Sequence, residues 1–394
     1  MVTTNPILEN IGGNPLAKMQ DLAGQLRRDP AVVHDFAIGD PREETPQTIR
    51  DALIDALDPV SQYPTVRGQA ATRNAIAGWF ARRHNVTVAA DTQVLPTSGS
   101  KEAIFHLPFA VIDPTGPKRH VLYGEPGYPV YASGTRFAHG IPDPLALTCN
   151  NGWRLSLTDL DEERLTRAAI VWVNYPHNPT GAIVDVGWYR EQVAIARAYD
   201  LLLASDECYQ EVYFDTAHPS VLEACEGDFR NVLAVVSLSK RSGMTGYRAG
   251  ALAGDADVIE RLRQLRTSVG TASPDFVQAA AVAAFNDQSH VDERRHVFAA
   301  KRAAMLTFLA EAGIEVSGSK ATFYIWFRAP GGDDEAYATA LLNERIIVSP
   351  GRAFGPNGAG WCRLALVPNL AGIAAAISAW RDALAHDRLP VDQL

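Results

Sequence analysis

Apolar strands alternating with helices between about residues 94 and 254 predict an α/β fold with an open, mainly parallel sheet and helices on both faces. Two further observations support that class. The runs Ala168–Val173, Leu201–Ser205 and Val232–Val236 are almost continuously apolar, as strands buried on both faces are. Each run is followed by a polar or Gly/Pro-rich turn carrying reactive side chains, and ligands of such sheets bind beyond the carboxyl ends of the strands. A second α/β alternation, from about 322 to 385, predicts a smaller C-terminal domain.

The chain of 394 residues is long enough for two domains with large cores. Apolar residues at 47% and charged residues at 21% are those of a soluble globular protein. A net charge of −9 argues against a nucleic-acid partner. No run of about 18 apolar residues suggests a membrane span. Met1–Asn14 lacks the basic-then-apolar order of a signal peptide, which predicts a cytoplasmic location. Cysteines 149, 208, 225 and 362 form no close pair, so reduced thiols are expected rather than disulfides. The ten scattered histidines argue against a metal site.

The elements follow in order. An N-terminal arm is expected to contain a helix at Pro15–Arg28, and Asp35–Pro41 reads as a short strand ending near Gly39. Thr45–Leu57 and Ala70–His84 read as helices. Between them lies Tyr63-Pro-Thr-Val-Arg67-Gly68, in which Tyr63 could equally be a packing residue. Val94–Pro96 reads as a strand, followed by Thr97-Ser98-Gly99-Ser100-Lys101-Glu102 and a helix to Ile112. A strand, Gly/Ser turn and helix offer free N–H groups to an anion, although Ser-Gly-Ser alone is also a routine cap. His120–Tyr123 is the next strand, and its Pro/Gly turn presents Tyr128. Residues Ala138–Ser156 read as turns and short strands.

Ala168–Val173 ends in Asn174-Tyr-Pro176-His-Asn178-Pro179-Thr-Gly181, and Val186–Ala198 is the helix after it. Leu201–Ser205 ends in Asp206-Glu207-Cys208-Tyr209. An aspartate at the end of a buried strand needs a positive partner or its pKa rises. Val232–Leu238 then leads into Ser237-Leu-Ser239-Lys240-Arg-Ser-Gly-Met-Thr-Gly-Tyr-Arg248. Of six lysines, only Lys240 sits at a strand end among serines, glycines and an arginine. That setting suits an amine forming a Schiff base with an aldehyde cofactor.

Ala249–Ala253 reads as a strand, and Ala256–Thr267, Pro274–Asn286 and His290–Ala312 as helices. Thr322–Phe327, Ile346–Val348 and Trp361–Val367 read as strands, with helices at Asp334–Glu344 and Ala371–Ala385. Arg363 has apolar strand neighbours, so it requires a partner, either an internal carboxylate or a substrate carboxylate.

The set from Gly39 to Arg363 resembles the class I/II aminotransferases, the fold-type I enzymes that use pyridoxal 5′-phosphate (EC 2.6.1.-). The resemblance implies a large domain, 46–290, with a mainly parallel seven-stranded sheet. It also implies a smaller α/β domain, 291–394, against which residues 1–45 pack. Carried over, Lys240 binds the cofactor and moves protons, Asp206 keeps the ring nitrogen protonated, and Tyr128 stacks on the ring. Asn178 and Tyr209 hydrogen-bond the phenolic oxygen. Ser98, Gly99, Ser100, Ser237, Ser239, Arg248 and Tyr63 from a second subunit hold the phosphate, and Lys101 also belongs to the cofactor-binding set. Gly39, Asn178 and Arg363 face the substrate, with Arg363 on its carboxylate. The implied function is ping-pong amino transfer between an amino acid and a 2-oxo acid in a cytoplasmic homodimer, with no metal.

Asp35–Pro41, residues 99–103 and Glu125–Tyr131 look most like the N-succinyldiaminopimelate aminotransferase branch of lysine biosynthesis. Related branches take alanine, aspartate, aromatic or LL-diaminopimelate substrates, and a lyase of the same fold would keep every cofactor residue. A regulatory role is disfavoured because no basic segment precedes the domain. Arg261–Arg266 are weak candidates for the distal end of the substrate.

Overall fold

The computed structural model describes residues 2, 4–10, 24 and 33–390. The expected helix at 15–28 lies outside those residues, save residue 24. The first strand, β1 (His34–Asp35), is only two residues long, so most of the strand expected to run to 41 is irregular chain.

Seven strands form the main sheet: β2 (Val94–Thr97), β3 (His120–Glu125), β4 (Ile141–Ala146), β5 (Ala168–Asn174), β6 (Leu202–Asp206), β7 (Val232–Ser237) and β8 (Gly250–Gly254). Their spatial order is β2-β8-β7-β6-β5-β3-β4. Only β8 opposes the rest, pairing antiparallel with both β2 and β7. The chain turns back between β3 and β5, which places a topological switch point there. Register aligns the chemistry at one edge: Asn174 lies opposite Asp206, and Ser237 opposite Gly250.

The inner strands are apolar because both faces are covered. Val171 and Val173 enter one core with Trp79, Phe80 and Tyr189. Ile170 and Trp172 enter another with Leu107, Val121 and Leu252. Fully burying each such side chain contributes roughly 1.5–3 kcal/mol. The helices at Ala70–His84 and Val186–Ala198 have the bounds expected from sequence.

The helices Val130–Phe137 and Glu162–Arg167 are among those not evident in the sequence. The first contains Ser133-Gly134, poor helix formers. Packing overrides that preference. A Cβ at 134 would come 2.9 Å from the Phe105 carbonyl, so glycine lets this helix lie directly on Ser100–Val111.

A third core is built from Phe36, Phe298, Phe308, Phe323, Tyr337 and Trp380. Over it lies the antiparallel sheet β12-β13-β10-β9, comprising β9 (Val316–Ser317), β10 (Tyr324–Arg328), β12 (Ser349–Pro350) and β13 (Trp361–Ala365). β1 pairs in parallel with β11 (Ile346–Ile347), so the chain just before residue 36 is anchored to this C-terminal unit. The helix Ser289–Glu311 leads into it. Ser319 N–H donates to Thr180 O at 2.6 Å, and Ala321 N–H to Gly181 O at 3.1 Å, joining this unit to the turn after β5. No helix among the described residues is long and apolar enough to cross a membrane.

Candidate active site

β7 delivers Lys240. Its last residue, Ser237, accepts a hydrogen bond from Ser239 N–H at 3.2 Å and starts the one-turn helix Leu238–Arg241. That turn points the Lys240 amine at Gly39, whose carbonyl accepts from Nζ. Burial lowers the ammonium from 10.5 to about 8, the charges of Arg363 and Arg248 also lowering it against the pull of Asp40 and Cys208. The amine opens on a cavity of about 480 Å³ between the main sheet and the C-terminal unit.

Asp206 ends β6 on the same cavity and is 5% exposed. Its carboxylate accepts from the Tyr131 hydroxyl at 2.8 Å and from Cys208 N–H at 3.2 Å. No lysine or arginine pairs with it among the described residues, and burial raises its pKa. Asn174 donates to the Asp206 carbonyl at 2.8 Å and accepts from Asn178 N–H at 2.9 Å, so the turn after β5 is tied to the end of β6.

Arg363, in β13, forms the opposite wall. Its Nη1 donates to Asn178 Oδ1 at 2.9 Å and its Nη2 to Ala37 O at 2.6 Å. The guanidinium lies 4.3 Å from the Tyr324 ring centroid and 4.5 Å from that of Phe354. Its Nε is buried and has no hydrogen-bond partner among the described residues. No carboxylate of the described residues reaches it, so the internal-salt-bridge alternative does not hold. A planar fork with an open edge between two rings suits a carboxylate.

The remaining edge suits a phosphate. The helix Ser100–Val111 begins at Gly99 without a side-chain cap, leaving N–H groups free. Arg248 lies over Gly99, where a Cβ would come 2.5 Å from Nη2. Ser100, Ser237, Ser239 and Thr245 complete that wall.

Of the residues singled out in the sequence, Gly39, Ser100, Lys101, Tyr128, Asn178, Asp206, Tyr209, Ser237, Ser239, Lys240, Arg248 and Arg363 line this one cavity. Ser98 and Gly99 do not: Ser98 N–H donates to Glu102 and its hydroxyl lies 3.5 Å from that of Ser273. Tyr63 is fully exposed in the single chain. Arg261–Arg266 also lie elsewhere. Arg266 is ion-paired with Glu102, Arg263 with Glu260, and Arg261 hydrogen-bonds Gln264. Tyr131, Asn174, Cys208, Tyr324 and Phe354 were not singled out. Tyr131 and Asn174 stood inside quoted motifs, but nothing in the sequence marked their partners.

Residues 31–379 match the family described as aminotransferase class I and II. The chain belongs to that family. Among its relatives, the LL-diaminopimelate aminotransferase of Desulforudis audaxviator is 35% identical over 91% of this chain and 92% of its own. That of Halothermothrix orenii is 32% identical over 91% and 93%. An aminotransferase structure from Neisseria meningitidis is 31% identical, with a TM-score of 0.88 over 97% of this chain and 100% of its own. Substrate-bound BacF from Bacillus subtilis is 25% identical, with a TM-score of 0.91 over 100% of both chains.

Aminotransferases of this family use pyridoxal 5′-phosphate, and this cavity fits it. A depressed amine, a buried carboxylate without a protein cation, and an arginine beside an uncapped helix start match its aldehyde, ring nitrogen and phosphate.

Proposed function

We propose that this aminotransferase exchanges the amino group of LL-diaminopimelate with a 2-oxo acid, 2-oxoglutarate in the first instance, in a ping-pong cycle. The observation carrying the reading is the pairing, across one cavity, of the Lys240 amine with Arg363, a buried guanidinium without a carboxylate. Bound pyridoxal phosphate supplies a ring that takes up the charge left when the substrate's α-proton departs.

Lys240 would hold the cofactor at its aldehyde. Once free, its Nζ would be the group that moves the proton at the substrate's Cα. Asp206 would hold a proton on the ring nitrogen, its oxygens fixed by Tyr131 and Cys208 N–H. Tyr128 would stack on the ring, while Asn178 and Tyr209 would hydrogen-bond its phenolic oxygen. Ser100, Ser237, Ser239 and Arg248, with the N–H group at the helix start at Ser100, would take the phosphate. Arg363 takes the α-carboxylate and sets the Cα–H bond beside Lys240. Residues 46–290 thus supply the cofactor side, and 291–394 with the preceding arm supply the clamp.

The substrate reading rests on the names of the relatives and on charge. Lys101 lines the cavity and forms no ion pair among the described residues, its Nζ lying 5.9 Å from the Tyr128 ring centroid. A second cation away from Arg363 favours a substrate with two carboxylates. The segments resembling the N-succinyldiaminopimelate branch meet here too, through Gly39, Lys101 and Tyr128. An assay of LL-diaminopimelate, its N-succinyl form, glutamate, alanine, aspartate and aromatic donors decides among these. LL-diaminopimelate with 2-oxoglutarate is expected to be fastest. Preference for the N-succinyl form moves the assignment to that branch, and equal rates with alanine or aromatic pairs end both.

A homodimer completes the site in this reading. Ile54, Leu57, Val60 and Tyr63 are all more than half exposed, an apolar stretch suited to a second copy. Tyr63 then reaches the neighbouring phosphate. Mixing inactive Tyr63 and Lys240 variants should restore activity, since one hybrid site is intact.

A further inference from the structure

Among the described residues, Cys208 is the one thiol on the cavity, partly buried and just past Asp206 in the chain. Its backbone N–H donates to Asp206 Oδ1 at 3.2 Å, which folds the turn after β6 back onto the carboxylate. The same turn lays the thiol against that carboxylate, with the Ser100 hydroxyl also within hydrogen-bond reach of the sulfur. From the other strand end, the Tyr131 hydroxyl donates to Oδ2 at 2.8 Å, its ring stacked 5.1 Å from that of Trp172. A hydroxyl, an N–H and a thiol thus converge on Asp206, and no cation does among the described residues.

These donors act on the carboxylate in one direction. A carboxylate offers about four lone-pair sites, so a further partner still has room. Each donor favours the charged form and makes the group less basic. Asp206 has an opposite requirement, because it has to remain basic enough to keep a proton on a ring nitrogen. Burial serves that requirement by raising its pKa. A second hydroxyl would work against it, whereas a thiol is a weak donor and withdraws little. Burial, and next the negative charge of Asp206, push the thiol itself well above its ordinary value, against the Ser100 hydroxyl and the charge of Lys240. The sulfur therefore carries a proton to donate at neutral pH.

We propose that Cys208 is a positioning residue whose S–H, as a weak third donor, orients the Asp206 carboxylate while leaving it basic enough to hold the cofactor's ring proton. The proposal rests on the site reading above and adds to it the group that sets the basicity of Asp206.

Infrared spectroscopy reads both partners, since S–H stretching falls in a window free of other protein bands. In the apo-protein, one S–H band should move to the frequency of a weaker hydrogen bond in Asp206→Asn, and the same band should vanish in Cys208→Ala. The pH at which Asp206 loses its proton is read from its carboxyl band, each protein being compared with its own Asp206→Asn form. Cys208→Ala removes a donor and should raise that pH by about half a unit, and Cys208→Ser supplies a stronger donor and should lower it by about as much. In the holoenzyme, the nitrogen resonance of ring-labelled pyridoxal phosphate should move in opposite directions in the two variants. A side chain that only fills space would move both the same way.

An S–H band indifferent to Asp206→Asn overturns the proposal. So does a carboxyl titration that moves the same way in Cys208→Ala and Cys208→Ser, or that moves in neither. The comparison of the parent with Asp206→Asn requires no change at 208, so it decides the case even where Cys208→Ala fails to fold. Failure of borohydride to fix the cofactor on Lys240 overturns the site reading itself, while the apo-protein measurements still judge the thiol.

Discussion

Two buried arginines, equally hidden, have opposite surroundings. Arg266 is 2% exposed and Arg363 3%. Arg266 donates to both oxygens of Glu102 and to the Pro96 carbonyl at 2.7 Å. Although burial alone would raise it, the Glu102 carboxyl is held below its ordinary value by His106 and Arg266. Around the cavity the arrangement reverses. Among the described residues Arg363 meets an amide oxygen, a carbonyl and two rings, while Asp206 meets a hydroxyl, an N–H and the Cys208 thiol, and burial raises its carboxyl. Charges that complete one another mark structure, and charges left open mark the place of a ligand.

The largest expected effect lies on the open side. Lys240→Ala should lower turnover by about 10⁴-fold or more, the upper end of proton-transfer catalysis, and abolish the borohydride-fixed label. Turnover within tenfold of the parent would remove the amine from the chemistry.

The closed side should respond in stability. Arg266→Met leaves Glu102 buried without its guanidinium and should cost about 3 kcal/mol in denaturant unfolding, with KM unchanged. A raised KM with full stability would place Arg266 among the ligand groups and break the contrast.

Arg363→Lys is the mirror case. It should raise KM for the amino donor about 50-fold, while stability changes by less than about 1 kcal/mol, because no protein carboxylate loses a partner. A large stability loss would mean that Arg363 is structural.

The smallest effect is in pH. Burial depresses the Lys240 ammonium to about 8, so its neutral form gains about tenfold per unit below that value and saturates above it. Uptake of pyridoxal phosphate by the apo-protein should follow, rising from pH 7 and levelling near pH 9. A rise continuing to the ordinary lysine range would show that the amine is not depressed.

Much of the frame was legible because burial writes itself into local pattern. β5, β6 and β7 are inner strands, so their apolar runs and terminal polar residues were readable together, and Asp206 and Lys240 were found that way. The helix Val130–Phe137 was not, because glycine at 134 opposes the helix locally and pays off only against Phe105. The partners of Arg363 were also hidden: Ala37 lies 326 positions away, and nothing near residue 363 specifies a carbonyl there.

By itself the amino-acid order determined the α/β class, the strand edge that lines the cavity and the amine proposed to carry the chemistry, since each depends on neighbours a few positions apart. The folded chain alone decided which arginine stays open, why residue 39, whose Cβ would meet the Tyr324 hydroxyl, lacks a side chain, and how the hydroxyls of Tyr209 and Tyr324 come to share a hydrogen bond. Those depend on groups far apart in the chain meeting in one cavity, and only three-dimensional packing brings them within reach.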